Sequence, residues 1–113
     1  MEEIRKGKIV GFQGSWGSGL AQLVIEKPDG SVDYVNCDNA PTVRALDGAF
    51  GNVIAEGHMI NNEAIKDKEI YYSIGDFGIL EGFTPVEQAS PELEKMYKDQ
   101  LMGRAKARLK KVV

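Results

Sequence analysis

The sequence predicts a mainly β domain with a single α-helix at its C-terminal end, and three observations lead there. Residues 1–90 are a series of short β-type runs broken by Gly, Asn, Asp and Pro. Beyond Pro91 there is neither proline nor a β-type run, and Gly103 is the only glycine. The charge changes at the same place: residues 1–90 hold 7 Lys+Arg against 14 Asp+Glu, a net of −7, and residues 91–113 hold 7 against 3, a net of +4. The boundary falls near Ala89-Ser90-Pro91, giving a β body over 1–89 and a helix over 90–113 that belongs to the same domain or to an oligomer interface. At 113 residues the chain is long enough for one core and too short for two. A composition 42% hydrophobic and 27% charged excludes wholesale disorder, a collagen and a membrane-embedded chain.

Within the body, Lys8–Phe12 is the first strand, set between Gly7 and Gly14. Leu20–Glu26 is the second, where Ala21, Leu23 and Ile25 alternate with Leu20, Gln22 and Val24, so one of these sets faces the core. Lys27-Pro28-Asp29-Gly30 is a turn, because proline presets φ and glycine accepts positive φ. Ser31–Val35 returns as the third strand, with Val32 and Tyr34 on one face. Val43, Leu46 and Phe50 recur at helical spacing between a capping Asn39 or Thr42 and Gly51, predicting a short helix weakened by Gly48. Asn52–Ala55 reads as a short fourth strand, Glu69–Ile74 as the next, Gly75–Gly78 as a turn and Ile79–Phe83 as an edge strand. Three strands, a short helix, then further strands is the order of a small OB-like barrel, with an SH3-like barrel as the alternative.

The C-terminal segment carries the signs of a long amphipathic helix. Ser90 caps, Pro91 takes the first helical position, acids occupy the first turn and cations the last. Leu93, Met96, Tyr97, Leu101, Ala105, Leu109 and Val112 form an apolar stripe at three- and four-residue steps. Such a helix must bury this stripe on the body or on another copy. The expected interface residues are Leu93, Tyr97, Leu101 and Leu109, and the expected assembly is a homo-oligomer, most simply a dimer.

Several chemistries are excluded by what the chain lacks. Cys37 has no cysteine partner, and Cys37 with His58 supplies two of the four ligands that a structural zinc requires, so no metal and no cofactor are expected. No run of about 18 apolar residues occurs, and Met1–Lys6 lacks the apolar stretch of a signal peptide, so a cytoplasmic location without membrane contact is expected. The glycine cluster Gly14–Gly19 leads into a strand and carries no lysine, unlike a phosphate-binding loop. Nothing brings Cys37 and His58 together as a nucleophile pair, and a lone cysteine reads as a small apolar filler. The chain is therefore not expected to be an enzyme.

The stretch Gly7-Lys8-Ile9-Val10-Gly11-Phe12-Gln13-Gly14-Ser15-Trp16-Gly17-Ser18-Gly19-Leu20 resembles the opening of cold-shock domains, which begin Gly-Lys-Val and continue through an aromatic pair to Gly-aromatic-Gly-aromatic. Tyr34 is similar to the family's next exposed aromatic. The resemblance covers about the first 15–20 residues of the strand region. It implies an OB-type barrel that binds single-stranded nucleic acid by stacking bases on surface rings, each stack being worth about 1–3 kcal/mol. Gly11, Ser18 and Leu20 stand where the family has aromatics, so much of that platform is missing. The expected contacts are Phe12, Trp16 and Tyr34 for bases, with Lys8 and the cluster Arg104, Lys106, Arg108, Lys110 and Lys111 for phosphates. Two functional readings result. One is a non-catalytic module binding single-stranded DNA or RNA; the other is a protein-interaction or oligomerisation module built on the C-terminal helix, which the overall acidity favours.

Overall fold

A computed structural model describes residues 3–14, 17, 20–55 and 59–112, with side chains as far as Gly103. Five strands form one antiparallel sheet in the order β3-β2-β1-β4-β5: β1 Arg5–Gln13, β2 Gln22–Glu26, β3 Val32–Asn36, β4 Glu69–Ile74 and β5 Leu80–Pro85. The sheet is not closed. Its two outer strands meet through one parallel bridge, Asn36 to Ile79. The domain is thus mainly β with helices.

The hairpin β2–β3 forms as the turn residues dictate. Gly30 takes φ +87° and donates its N–H to the Lys27 carbonyl, and Lys27 donates to Ser31 across the turn. Register then pairs Glu26 with Val32, Val24 with Tyr34 and Leu23 with Val35. Ala21, Leu23, Ile25, Val35 and Cys37 all point into the core, together with Ile9 from β1 and Ile70 from β4. Closing this core from below is α1, Ala40–Phe50, whose Val43 and Leu46 are buried and whose Phe50 ring stacks on Phe83 of β5 at 6.2 Å. The Asn39 side chain accepts the Thr42 N–H at 2.9 Å, the expected cap, and Gly51 ends the helix at φ +74°. Gly48 is accommodated inside it.

One expectation for the connecting segment needs correction. Asn52–Ala55 is not a strand of the sheet: Ile54 bridges Ile60 and Ala55 donates to the Met59 carbonyl, so the segment folds on its own continuation. A second short helix follows, α2 (Asn62–Ile65), capped by the Asn61 side chain. Asn62 has a further task, since its Oδ1 accepts the Phe12 N–H at 2.8 Å.

That bond marks an irregularity in β1. Ile9 pairs with Ile25 and Gly11 with Val24, so Val10 is an extra residue opposite one step of β2. Such a bulge advances the side-chain alternation by one position. Ile9 and Phe12, three residues apart, therefore both face the core, and Val10 faces out.

After β5, α3 spans Pro91–Val112, and the Ser90 hydroxyl accepts the Leu93 N–H as a cap should. The first ten residues of α3 lie on the outer side of β4. Tyr97 meets the Tyr71 ring edge-on at 5.4 Å, and Gln100 Oε1 accepts the Ile4 N–H at 3.0 Å. Leu101, Met102 and Gly103, the last residues whose side chains are described, are exposed, with Leu101 at the rim of a groove it shares with Ile4 and Pro28. The molecule accordingly measures 56 Å along its long axis against 27 and 24 Å across.

Candidate binding surface

The outer side of the sheet is divided by α3. Over β4 the helix buries Tyr71, although that side chain faces away from the core. Over β1, β2 and β3 nothing among the described residues covers the sheet. Register places side chains there in three rows: Asn36, Gln22 and Gln13; then Tyr34, Val24 and Gly11 with the bulged Val10; then Val32, Glu26 and Lys8. Neighbouring strands lie about 4.8 Å apart, so each row is a contiguous strip. The middle row is apolar, with Tyr34 59% and Val10 46% exposed, and Val32 extends it. The upper row is amide, and Gln13 donates to Gln22 across the strands at 2.8 Å.

Two loops approach the C-terminal end of β3. The Asn36–Ile79 bridge brings in the β4–β5 turn, Asp76–Gly78, and the Gly17 N–H donates to Asp38 Oδ1 at 2.6 Å from the β1–β2 loop. The turn holds Phe77 at φ +62°, a left-handed conformation that costs a non-glycine residue of order 1–3 kcal/mol. Its side chain is 93% exposed. Leu20, in the β1–β2 connection, is likewise mostly exposed.

Cations are sparse here. Lys8 faces Asp67 at 3.9 Å and sits beside Glu26 in register, while Lys6 lies over the Tyr71 ring, its Nζ 5.5 Å from the centroid. Asp38 and Asp76 add negative charge at the loop end. The surface is a neutral, apolar sheet strip with an acidic rim.

The expected site residues therefore separate. Tyr34 and Lys8 stand on the open face. Phe12 does not: it is 8% exposed, because the bulge turns its ring into the core, and stacking on a base is ruled out for it. Trp16 and the side chains of Arg104, Lys106, Arg108, Lys110, Lys111 and Leu109 lie outside the described residues, as does His58. Of the expected interface residues, Leu93 and Tyr97 are taken up by the chain's own body, where Leu93 lines a groove with Tyr71, Tyr72 and Thr84. Leu101 remains exposed. Sequence reasoning missed Val10 and Phe77. Gly11 inside a strand was the available signal for the bulge, since strand glycines often mark one. Phe77 gave no signal beyond its turn.

A second polar feature closes the inner side of the sheet at the opposite end. Asp33 Oδ2 accepts from the Arg5 guanidinium at 2.8 Å and from the Tyr72 hydroxyl at 2.7 Å, and Lys27 Nζ lies 3.5 Å from Oδ1. Burial pushes the Asp33 pKa up. The Tyr72 hydrogen bond and the Arg5 and Lys27 cations outweigh it, leaving the carboxyl below its ordinary 3.8. Burial and the adjacent Asp33 push the Tyr72 hydroxyl up. Arg5 Nε is buried without a hydrogen-bond partner, and Arg5 and Lys27 also line a groove with Ile4, Pro28, Tyr97 and Leu101. The bonds that Asp33 accepts tie β3 to β1 and β4, so the cluster reads as structural.

Cys37 is fully buried, and burial with the nearby Asp38 pushes its thiol up to about 12. A thiolate is the reactive form. A thiol reagent at pH 8 is therefore expected to leave Cys37 unmodified in the native protein and to titrate one thiol after denaturation. Stoichiometric native reaction within seconds would contradict this burial. Among the described residues no group of three or more His, Cys, Asp or Glu is placed to hold a metal ion, and no helix is long and apolar enough to cross a membrane.

Comparison with family models, curated proteins and solved structures finds no match to this chain.

Proposed function

We propose that the chain is a non-catalytic protein-interaction module on an OB-type barrel, and that the open face of β1, β2 and β3 is its docking surface. Three features favour OB over SH3-like topology: a helix between β3 and β4, antiparallel pairing of β1 with both β2 and β4, and the parallel bridge between the end of β3 and the start of β5. An OB barrel is five-stranded and partly open, and it uses the β2–β3 face with its β1–β2 and β4–β5 loops for ligands. Tyr34, Leu20 and Phe77 occupy those three places.

The observation that carries a protein partner is the composition of the strip. Val10, Val24, Val32 and Tyr34 make an apolar centre, amides flank it, and its nearest cations are already engaged. Protein interfaces have an apolar core depleted in charge, with aromatic anchors. Single-strand binding requires unengaged cations for the phosphates, because counterion release supplies much of the affinity. Tyr34 alone favours the second reading, nucleic acid, by offering a ring for a base.

Anisotropy of labelled single-stranded DNA and RNA at low ionic strength separates the two. The protein reading expects no saturable binding up to about 100 µM protein. Micromolar binding that weakens steeply with salt and is lost in Tyr34→Ala would transfer the function to nucleic acid.

A further inference from the structure

We infer that the groove between the start of β1, the β2–β3 turn and α3 binds a small monocarboxylate with an apolar body, held by the Arg5 guanidinium. This site is separate from the open sheet face and does not depend on its role.

The first observation is an unused hydrogen-bonding edge. Arg5 donates from Nη1 to Asp33 Oδ2 at 2.8 Å. Its Nη2 is 3.8 Å from Glu3, too far for a hydrogen bond, and its Nε is buried with no partner. Buried donors without a partner are rare in folded proteins, and the penalty is larger on a charged group. Nε and Nη2 form the side edge of the guanidinium, whose two parallel N–H groups match the two oxygens of a carboxylate. The Arg5 side chain lines the groove and is 29% exposed. An acid in the groove meets Nη2 first, and a small rotation of the side chain brings its second oxygen to Nε.

The second observation is the charge around that edge. Arg5 and Lys27 share one carboxylate, Asp33, with Lys27 Nζ 3.5 Å from its Oδ1, so the trio carries one positive charge in excess. The third cation of the groove, Lys6, lies over the Tyr71 ring. Of the two acids at the rim, Asp29 accepts from the Ser31 N–H and hydroxyl, and Glu3 is the one that faces Arg5. One added negative charge balances the trio. A dianion would carry a second charge against Glu3 and Asp29. The class is thus a monocarboxylate and not a phosphate monoester.

The third observation is the wall. Ile4, Pro28, Tyr97 and Leu101 make it apolar. Leu101 is 45% exposed, so an apolar group in the groove removes it from water, the favourable direction. The volume of about 220 Å³ is below the roughly 300–1,000 Å³ of sites for drug-sized ligands, which limits the ligand to one acid group and one ring or short chain.

Titration of the isotope-labelled intact chain with phenylbutyrate, followed by its amide resonances, tests this. Saturable changes at Ile4, Lys6, Asp29 and Leu101 are expected, with a Kd below about 5 mM, the scale open to so few ligand atoms. Phenylbutyramide, which keeps the ring and loses the charge, should bind at least tenfold more weakly, and so should phenyl phosphate near neutral pH. Arg5→Lys keeps the charge without the side edge and should weaken phenylbutyrate at least fivefold. Leu101→Glu, at an exposed position, should do the same by placing an acid on the wall. Circular dichroism checks that each variant is folded; should Arg5→Lys unfold the domain, Leu101→Glu and the two analogues still decide. Changes that do not saturate, an amide or phosphate that binds as well as the acid, or a folded variant that binds like the native chain would each overturn the assignment.

Discussion

Replacing Phe12 by alanine is expected to destabilise the domain by about 3–5 kcal/mol, the usual result of emptying a buried aromatic site. Tyr34→Ala should cost less than about 1 kcal/mol, the scale of an exposed cross-strand pair. The contrast rests on one structural detail. Without the extra residue at Val10, alternation would turn Phe12 outward beside Tyr34, as a binding ring. With it, Phe12 packs in the core and its N–H is satisfied by Asn62. Denaturant melts of the two variants read the difference directly. Comparable small losses would mean that the ring is on the surface after all.

The second large effect is expected at Asp33. Asp33→Ala removes one acceptor and strands a guanidinium and a hydroxyl, both turned inward, with Lys27 beside them. Breaking a fully buried ion pair costs about 3–5 kcal/mol. The side chains here retain 14% exposure at Asp33 and 29% at Arg5, so about 2–3 kcal/mol is expected. Tyr72→Phe should lose only about 1 kcal/mol, one hydrogen bond, since the ring keeps its packing. The pH dependence has a definite sign. The folded-state pKa of Asp33 lies below the ordinary 3.8, so the carboxylate's contribution is complete above that value and is lost as pH falls through the lowered one. Asp33→Asn should therefore flatten the acid limb of the stability profile below about pH 4. An acid limb as steep in the variant as in the native chain would place the titration elsewhere.

Both predictions concern features the sequence did not reveal, and for related reasons. The hairpin from Leu23 to Val35, the Asn39 cap, the Val43–Leu46–Phe50 face and the Ser90 start of α3 were legible because each depends on neighbours in the chain: alternation, turn chemistry and capping. The bulge at Val10 depends on which step of β2 lies opposite, a long-range pairing that periodicity over 8–12 does not contain. Asp33 occupies an inward position of β3 and looked like one more acid of an acidic body. Its meaning comes from Arg5 and Tyr72, on two other strands. The four-residue α2 is too short for a helical period, although Asn61 is its cap. At the candidate surface, Val32 and Tyr34 were placed on one face correctly by alternation. Which face they occupied, and that α3 would cover β4 and leave β1–β3 open, required the tertiary packing of Tyr97 on Tyr71.

That open face is the centre of the functional account, and site-specific photo-crosslinking in cells producing the intact chain tests it most directly. With a benzophenone amino acid in place of Tyr34, the account predicts a discrete adduct that proteases remove and nucleases do not. The adduct should disappear when Val24→Asp places a charge in the middle of the strip, and it should be absent when the same crosslinker replaces Lys66, an exposed position near α2. A nuclease-sensitive adduct at position 34, equal labelling from position 66, or no adduct at position 34 would contradict the assignment of this face as a protein-docking surface.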